Sequence, residues 1–149
     1  MKKNIDPRMH TAEHILNQTM DRMFNCGRCF NAHIERKKSK CDYRFNRPLS
    51  QFELQEIQTR VNRIFAADLP VIEKYIPRSE ALRNYNTEKL PGDAGDTIRI
   101  VKIGDYDACP CIGPHVKSSG EVSGFQITSS SFDESVLRIR FKLTPINEP

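Results

Sequence analysis

The chain has 149 residues and a mass of 17.2 kDa, the size of a single domain (1–149) that buries about two-thirds of the surface its unfolded form would expose. Hydrophobic residues make up 38%, charged residues 28%, and the mean hydropathy is -0.59, polar for a folded protein but too apolar for a disordered one. Without an apolar run of about 18 residues, and with Met1-Lys2-Lys3 leading into Asn4-Ile5-Asp6-Pro7, no membrane span or secretory leader is expected, and the predicted location is cytoplasmic. The net charge of +4 permits a polyanionic partner without demanding one. Five cysteines, an odd number in a chain expected to stay in a reducing compartment, turn attention from disulfides to reactive or metal-bound thiols.

In chain order, Arg8 to Phe24 reads as a helix, with Met9, Ala12, Leu16, Met20 and Met23 at helical spacing behind Pro7 and with Gly27 as its stop. A hairpin is expected next, Phe30 to Ile34 and Cys41 to Phe45, joined by the charged loop Glu35 to Lys40. Ser50 followed by Glu53 is a capping-box signature, and Leu54, Ile57, Val61, Ile64 and Phe65 carry a second helix to about Ala67. Leu69 to Ile76 reads as a strand, Pro77-Arg78-Ser79-Glu80 as the start of a short helix, and Pro91 to Asp96 as a loop. Strands are predicted over Thr97 to Ile103, Gly124 to Ser130 and Val136 to Leu143, the last with one apolar face and one basic face of Arg138, Arg140 and Lys142. Interleaved helices and hairpin-like strands predict an α+β domain, a largely antiparallel sheet packed with helices.

His10 and His14 stand four apart, which on a helix puts two imidazoles on one face, about one turn apart. Cys111 and His115 bracket Ile112-Gly113-Pro114, a turn that aims a thiolate and a third imidazole at one point. Together the four residues make a set of three imidazoles and one thiolate suited to zinc. On the helical wheel His10 and His14 fall just outside the apolar arc and Glu13 falls inside it. A carboxylate on the core side needs a partner, so Glu13 is expected beside the metal cleft, as an acceptor for a ligand imidazole or as a general base, unless it reaches solvent at the rim. Cys111 is preferred over Cys109 as a ligand because His115 follows it by four residues. Cys26 and Cys29, with Cys41, have the makings of a second site or a redox pair, against the plainer reading of ordinary thiols at a helix end. Candidate phosphate contacts are Arg36, Lys37, Lys38 and Lys40, the row Arg138, Arg140 and Lys142, and above all Lys117 beside His115; a solvated surface accounts for the first two groups equally well. His33 is expected to be structural.

The stretches His10-Thr11-Ala12-Glu13-His14-Ile15-Leu16 and Cys111-Ile112-Gly113-Pro114-His115-Val116-Lys117-Ser118-Ser119-Gly120-Glu121-Val122 closely resemble the editing domain shared by alanyl- and threonyl-tRNA synthetases, whose freestanding versions are the AlaX proteins. The resemblance extends to Asp42 to Phe45, Leu49-Ser50 and Asp68 to Val71. It implies an α+β fold, zinc held by His10, His14, Cys111 and His115, a mischarged tRNA as partner, and hydrolysis of the ester joining a wrong amino acid to that tRNA, here a small one such as serine or glycine. The chain departs from the family pattern at Cys109, where an acid is common, at Glu13, where alanyl-type sequences often have Thr, and at Gly113-Pro114-His115, which looks threonyl-type. Glu13 and Cys109 are therefore the candidate catalytic positions, and Gly113 and Lys117 the candidate substrate contacts. Two other functions compete: a zinc-stabilised tRNA-binding module without catalysis, and a zinc peptidase of the HxxEH type with Glu13 as base, against which the Cys111–His115 half argues.

Overall fold

A computed structural model describes residues 5–85, 87 and 95–144; most of the loop expected over 91–96 lies outside them. The first helix, α1 (Pro7–Phe24), starts where the Asp6 carboxylate accepts hydrogen bonds from the Arg8 and Met9 amides at 2.9 and 3.1 Å, with Pro7 filling a position that needs no donor. It ends at Asn25 rather than at Gly27: Asn25 takes the left-handed conformation (φ 53°) and its amide returns to the Asp21 carbonyl. The second helix, α2 (Gln51–Ala66), opens on the reciprocal box of Ser50 and Glu53, tightened by a two-pronged bond from Arg47 to the Glu53 carboxylate. A short α3 (Arg78–Asn84) completes the α-helices among the described residues.

The fold is α+β with antiparallel strands, as expected, the strands being divided between two sheets rather than gathered in one. One has the order β1 (Asn31–Ile34), β2 (Ser39–Arg44), β7 (Val136–Lys142), β6 (Gln126–Asp133); the other runs β3 (Val71–Pro77), β4 (Thr97–Ile103), β5 (Asp107–Pro110). The short β5 is an addition to the predicted elements, formed because Cys109 pairs with Val101 and Asp107 with Ile103. Strand β3 begins two residues later than expected, since the Leu69 amide bonds the Ser119 hydroxyl and Pro70 has no amide to give a neighbour. Strand β6 is shifted toward its hairpin, as Gly124 (φ 69°) breaks from extended geometry and its carbonyl accepts the Thr144 amide. Strand β7 has the two predicted faces: Leu137, Ile139 and Phe141 are buried, and the basic side chains between them are not.

The main core joins both helices to the four-stranded sheet through Met9, Leu16, Met20, Ile57, Phe125 and Phe141, each such burial stabilising the fold by about 1.5–3 kcal/mol. A smaller cluster of Ile76, Ala81, Ile98 and Ile100 lies between α3 and the three-stranded sheet. Helix α1 touches α2, β1 and β5, so its N-terminal half, from Met9 to Asn17, is buried on every side. The covering of His14 by Asp107 of β5, and of His10 by the loop that follows β5, explains why both, outside the apolar arc, are nonetheless buried.

Candidate metal centre

His10 and His14 project from α1 toward the loop that leaves β5, where Cys111 and His115 stand; one ligand atom from each of the four lies within 4.8 Å of the others. The orientation of the rings is fixed from behind. His10 Nδ1 is 2.9 Å from the Pro114 carbonyl and His115 Nδ1 is 2.9 Å from the Thr11 hydroxyl, leaving both Nε2 atoms facing the Cys111 sulfur at 3.3 and 3.5 Å. A histidine whose rear nitrogen donates to a carbonyl presents its front nitrogen as a lone pair, the form a metal needs. His14 Nδ1 is buried, lies 3.6 Å from Asp107 Oδ2 and has no hydrogen-bond partner among the described residues. The Cys111 thiol would be favoured by burial, but His10, His115 and His14 around it lower its pKa to about 2, so it stands as thiolate. Burial lowers His115 to about 4, and Asp107 and Cys111 overcome burial to raise His14 to about 9. A convergent thiolate and three imidazoles, the His10 ring fixed in tautomer by the Pro114 carbonyl, fit a borderline divalent ion such as zinc.

Behind this cluster lies a network that sequence patterns do not reveal. Asp107 has a fully buried side chain, held by Arg28 at 2.8 Å and by the Gln18 amide at 2.9 Å, and faces His14. Burial opposes its charge, yet His14 and Arg28 hold the carboxyl well below the usual carboxylate range. Its one legible signal is spacing: on an alternating strand Asp107, Cys109 and the following Cys111 share a side. Arg99, on β4, donates to the carbonyls of Cys111 (3.1 Å) and Gly113 (2.7 Å) and to the Glu73 carboxylate (2.8 Å), clamping the ligand loop to the sheet.

Glu13 is buried, as the wheel predicts. Its Oε1 lies 3.8 Å from His10 Nε2, and its Oε2 receives the Asn17 amide at 3.4 Å and the Cys29 thiol at 3.5 Å. Cys109 is on β5, and burial pushes its thiol up to about 12, so at neutral pH it is an uncharged side chain where an acid was expected. Gly113 stands against the His10 ring: a Cβ there would lie 2.4 Å from His10 Cε1, so only glycine permits the ligand to sit where it does. Lys117 is exposed, its backbone amide tied to Glu121 at 3.0 Å. Cys26 is not gathered with these residues; its thiol points to the carbonyls of Met20 and Gly27. Nor is His33 structural: it is exposed on β1 and pairs with Glu35. Of the basic groups, Arg36, Lys37 and Lys38 are exposed, whereas Arg138 is bound in two-pronged fashion to Asp42 and Arg140 donates to the Ser129 hydroxyl.

Residues 98–140 match the family described as threonyl and alanyl tRNA synthetase second additional domain. The chain is 32% identical over 142 residues, 90% of its length, to the alanine-tRNA ligase of Methanopyrus kandleri, and spans 15% of that protein. It is 34% identical over 138 residues to the alanine-tRNA ligase of Cenarchaeum symbiosum, covering 90% of this chain and 15% of the ligase. With the alanyl-tRNA editing protein AlaX-L of Pyrococcus horikoshii it shares 36% identity over 119 residues, 76% of this chain and 28% of that protein.

Proposed function

Since the chain belongs to the AlaX-like family of synthetase editing domains, we propose that it is a zinc-dependent aminoacyl-tRNA deacylase that removes a misattached small amino acid, serine or glycine, from tRNA. The observation that carries this reading is the convergence of His10, His14, Cys111 and His115 on one point, with a carboxylate, Glu13, beside them. These four residues would hold zinc, which when bound would fix the walls of the cleft and supply a positive charge beside the substrate. Because four protein ligands complete a tetrahedron, the chemistry is assigned to the surrounding groups. Glu13 accepts the proton of the attacking water, and the backbone near Gly113, held rigid by Arg99, positions the ester. Lys117, exposed one step beyond His115 and Val116, meets the phosphates of the tRNA end. Cys109, a neutral thiol, contributes shape to the cleft rather than charge.

The test is single-turnover hydrolysis of seryl- and glycyl-tRNA. Glu13→Gln should retain zinc at the four-residue centre and tRNA binding while slowing the reaction by about 10²-fold or more, the scale of a lost general base. One observation favours a second reading, a zinc-stabilised tRNA-binding module: the uncharged thiol of Cys109 at a position where the family often has an acid. Binding of charged tRNA with no ester cleavage, by the natural protein and by Cys109→Asp alike, would establish that reading and exclude the deacylase.

A further inference from the structure

We propose that Glu13, Cys29 and Cys41 form a second site for a thiophilic divalent metal, sharing the Glu13 carboxylate with the histidine centre. Three elements supply the donors: Glu13 comes from α1, Cys29 from the connection between α1 and β1, and Cys41 from β2. One ligand atom from each lies within 4.8 Å of the other two, and all three residues are buried. Two thiolates and a carboxylate oxygen form a donor set that zinc or cobalt(II) accepts. The carboxylate is turned to serve both sides, Oε1 toward His10 Nε2 at 3.8 Å and Oε2 toward Cys29 Sγ at 3.5 Å.

The surroundings give this arrangement its physical reason. Cys29 and Cys41 belong to the main apolar core, and the carboxylate of Glu13 intrudes on it with two long hydrogen bonds, from Asn17 and Cys29, to its Oε2 atom. A buried carboxylate with such weak support is costly, and a cation bound by it and two thiolates offsets that cost. The neighbouring polar groups are committed elsewhere in a way that shapes the pocket: Asn17 Oδ1 accepts from the Tyr43 hydroxyl at 2.7 Å and from the Cys29 amide at 3.2 Å, fixing the backbone that carries the first thiol. Cys26, the other half of the CxxC spacing, takes no part, since its thiol faces the Met20 and Gly27 carbonyls.

Cobalt(II) titration of the metal-free full chain tests the site, read by stoichiometry and by sulfur-to-cobalt charge-transfer absorption. The natural protein should bind two ions. Cys29→Ala/Cys41→Ala should bind one and lose most of the sulfur absorption, whereas Cys111→Ser should retain one ion with the two-thiolate spectrum. A natural protein that binds one ion, with a spectrum unchanged in the double variant, overturns the proposal. Should the double variant not fold, the Cys111→Ser chain decides: absence of any thiolate-bound cobalt in it overturns the second site. The histidine centre fails separately, if the natural protein binds a single ion that Cys111→Ser retains and the double variant loses; that result upholds the second site. No cobalt binding by the natural protein overturns both.

Discussion

Gly113 shows how one missing side chain decides where a ligand sits. With a Cβ 2.4 Å from His10 Cε1, Gly113→Ala has to displace the His10 ring or the loop. The expected result is at least about a tenfold loss of zinc affinity with the helices intact, read by competition with a chromophoric chelator and by circular dichroism. Asp107 acts at the same scale through charge. Its carboxyl is held below the ordinary range, so the folded state resists protonating it more than the unfolded chain does. The stability it contributes is complete above the unfolded carboxylate pKa of about 3.9 and is lost as pH falls toward the folded value. Asp107→Asn removes that charge and leaves the part-buried Arg28 without the carboxylate it is bonded to. Urea unfolding of the metal-free variant should show a loss of about 3–5 kcal/mol at neutral pH and a flatter decline in acid than the natural protein. An equally steep acid limb would show that other carboxylates carry it.

At the scale of elements, the hairpin of β6 and β7 turns through Glu134 and Ser135, both at positive φ (46° and 69°), the two-residue geometry that suits Asn-Gly. Replacing the pair by Asn-Gly should stabilise the chain by about 1 kcal/mol in denaturant unfolding without altering metal affinity. Elements whose signals are local were legible in the sequence. The Ser50–Glu53 box sets the start of α2, and the alternation along β7 sets its faces. Strand β5 was not, because four residues with a proline carry no periodicity and become a strand only by pairing with β4. The division into two sheets is equally non-local. The candidate centre divides the same way. Its four ligands follow from spacing within two short motifs, whereas Asp107, Arg28, Thr11 and Arg99 act through contacts between distant segments that no single stretch announces.

For the whole molecule, a metal held by α1 and by the loop after β5 would join parts of the chain that are 101 positions apart at His10 and Cys111. An ion that binds only the folded arrangement stabilises it by about 2.7 kcal/mol at a free concentration a hundred times its Kd. Chelation should therefore lower the melting temperature, and His14→Ala should melt like the chelated protein whether or not zinc is added; a melting temperature indifferent to both would show that the metal has no part in holding the fold. The long span of that clasp also bears on how the molecule opens. Contacts so distant in sequence close late in folding, so an ion between the first turns of α1 and the ligand loop would add to the core packing of α1 and to the Arg99 clamp in delaying their release. In amide hydrogen exchange the two segments should behave as one cooperative unit, exchanging together and well before β2 and β7 when zinc is removed, and slowing in step as it is restored.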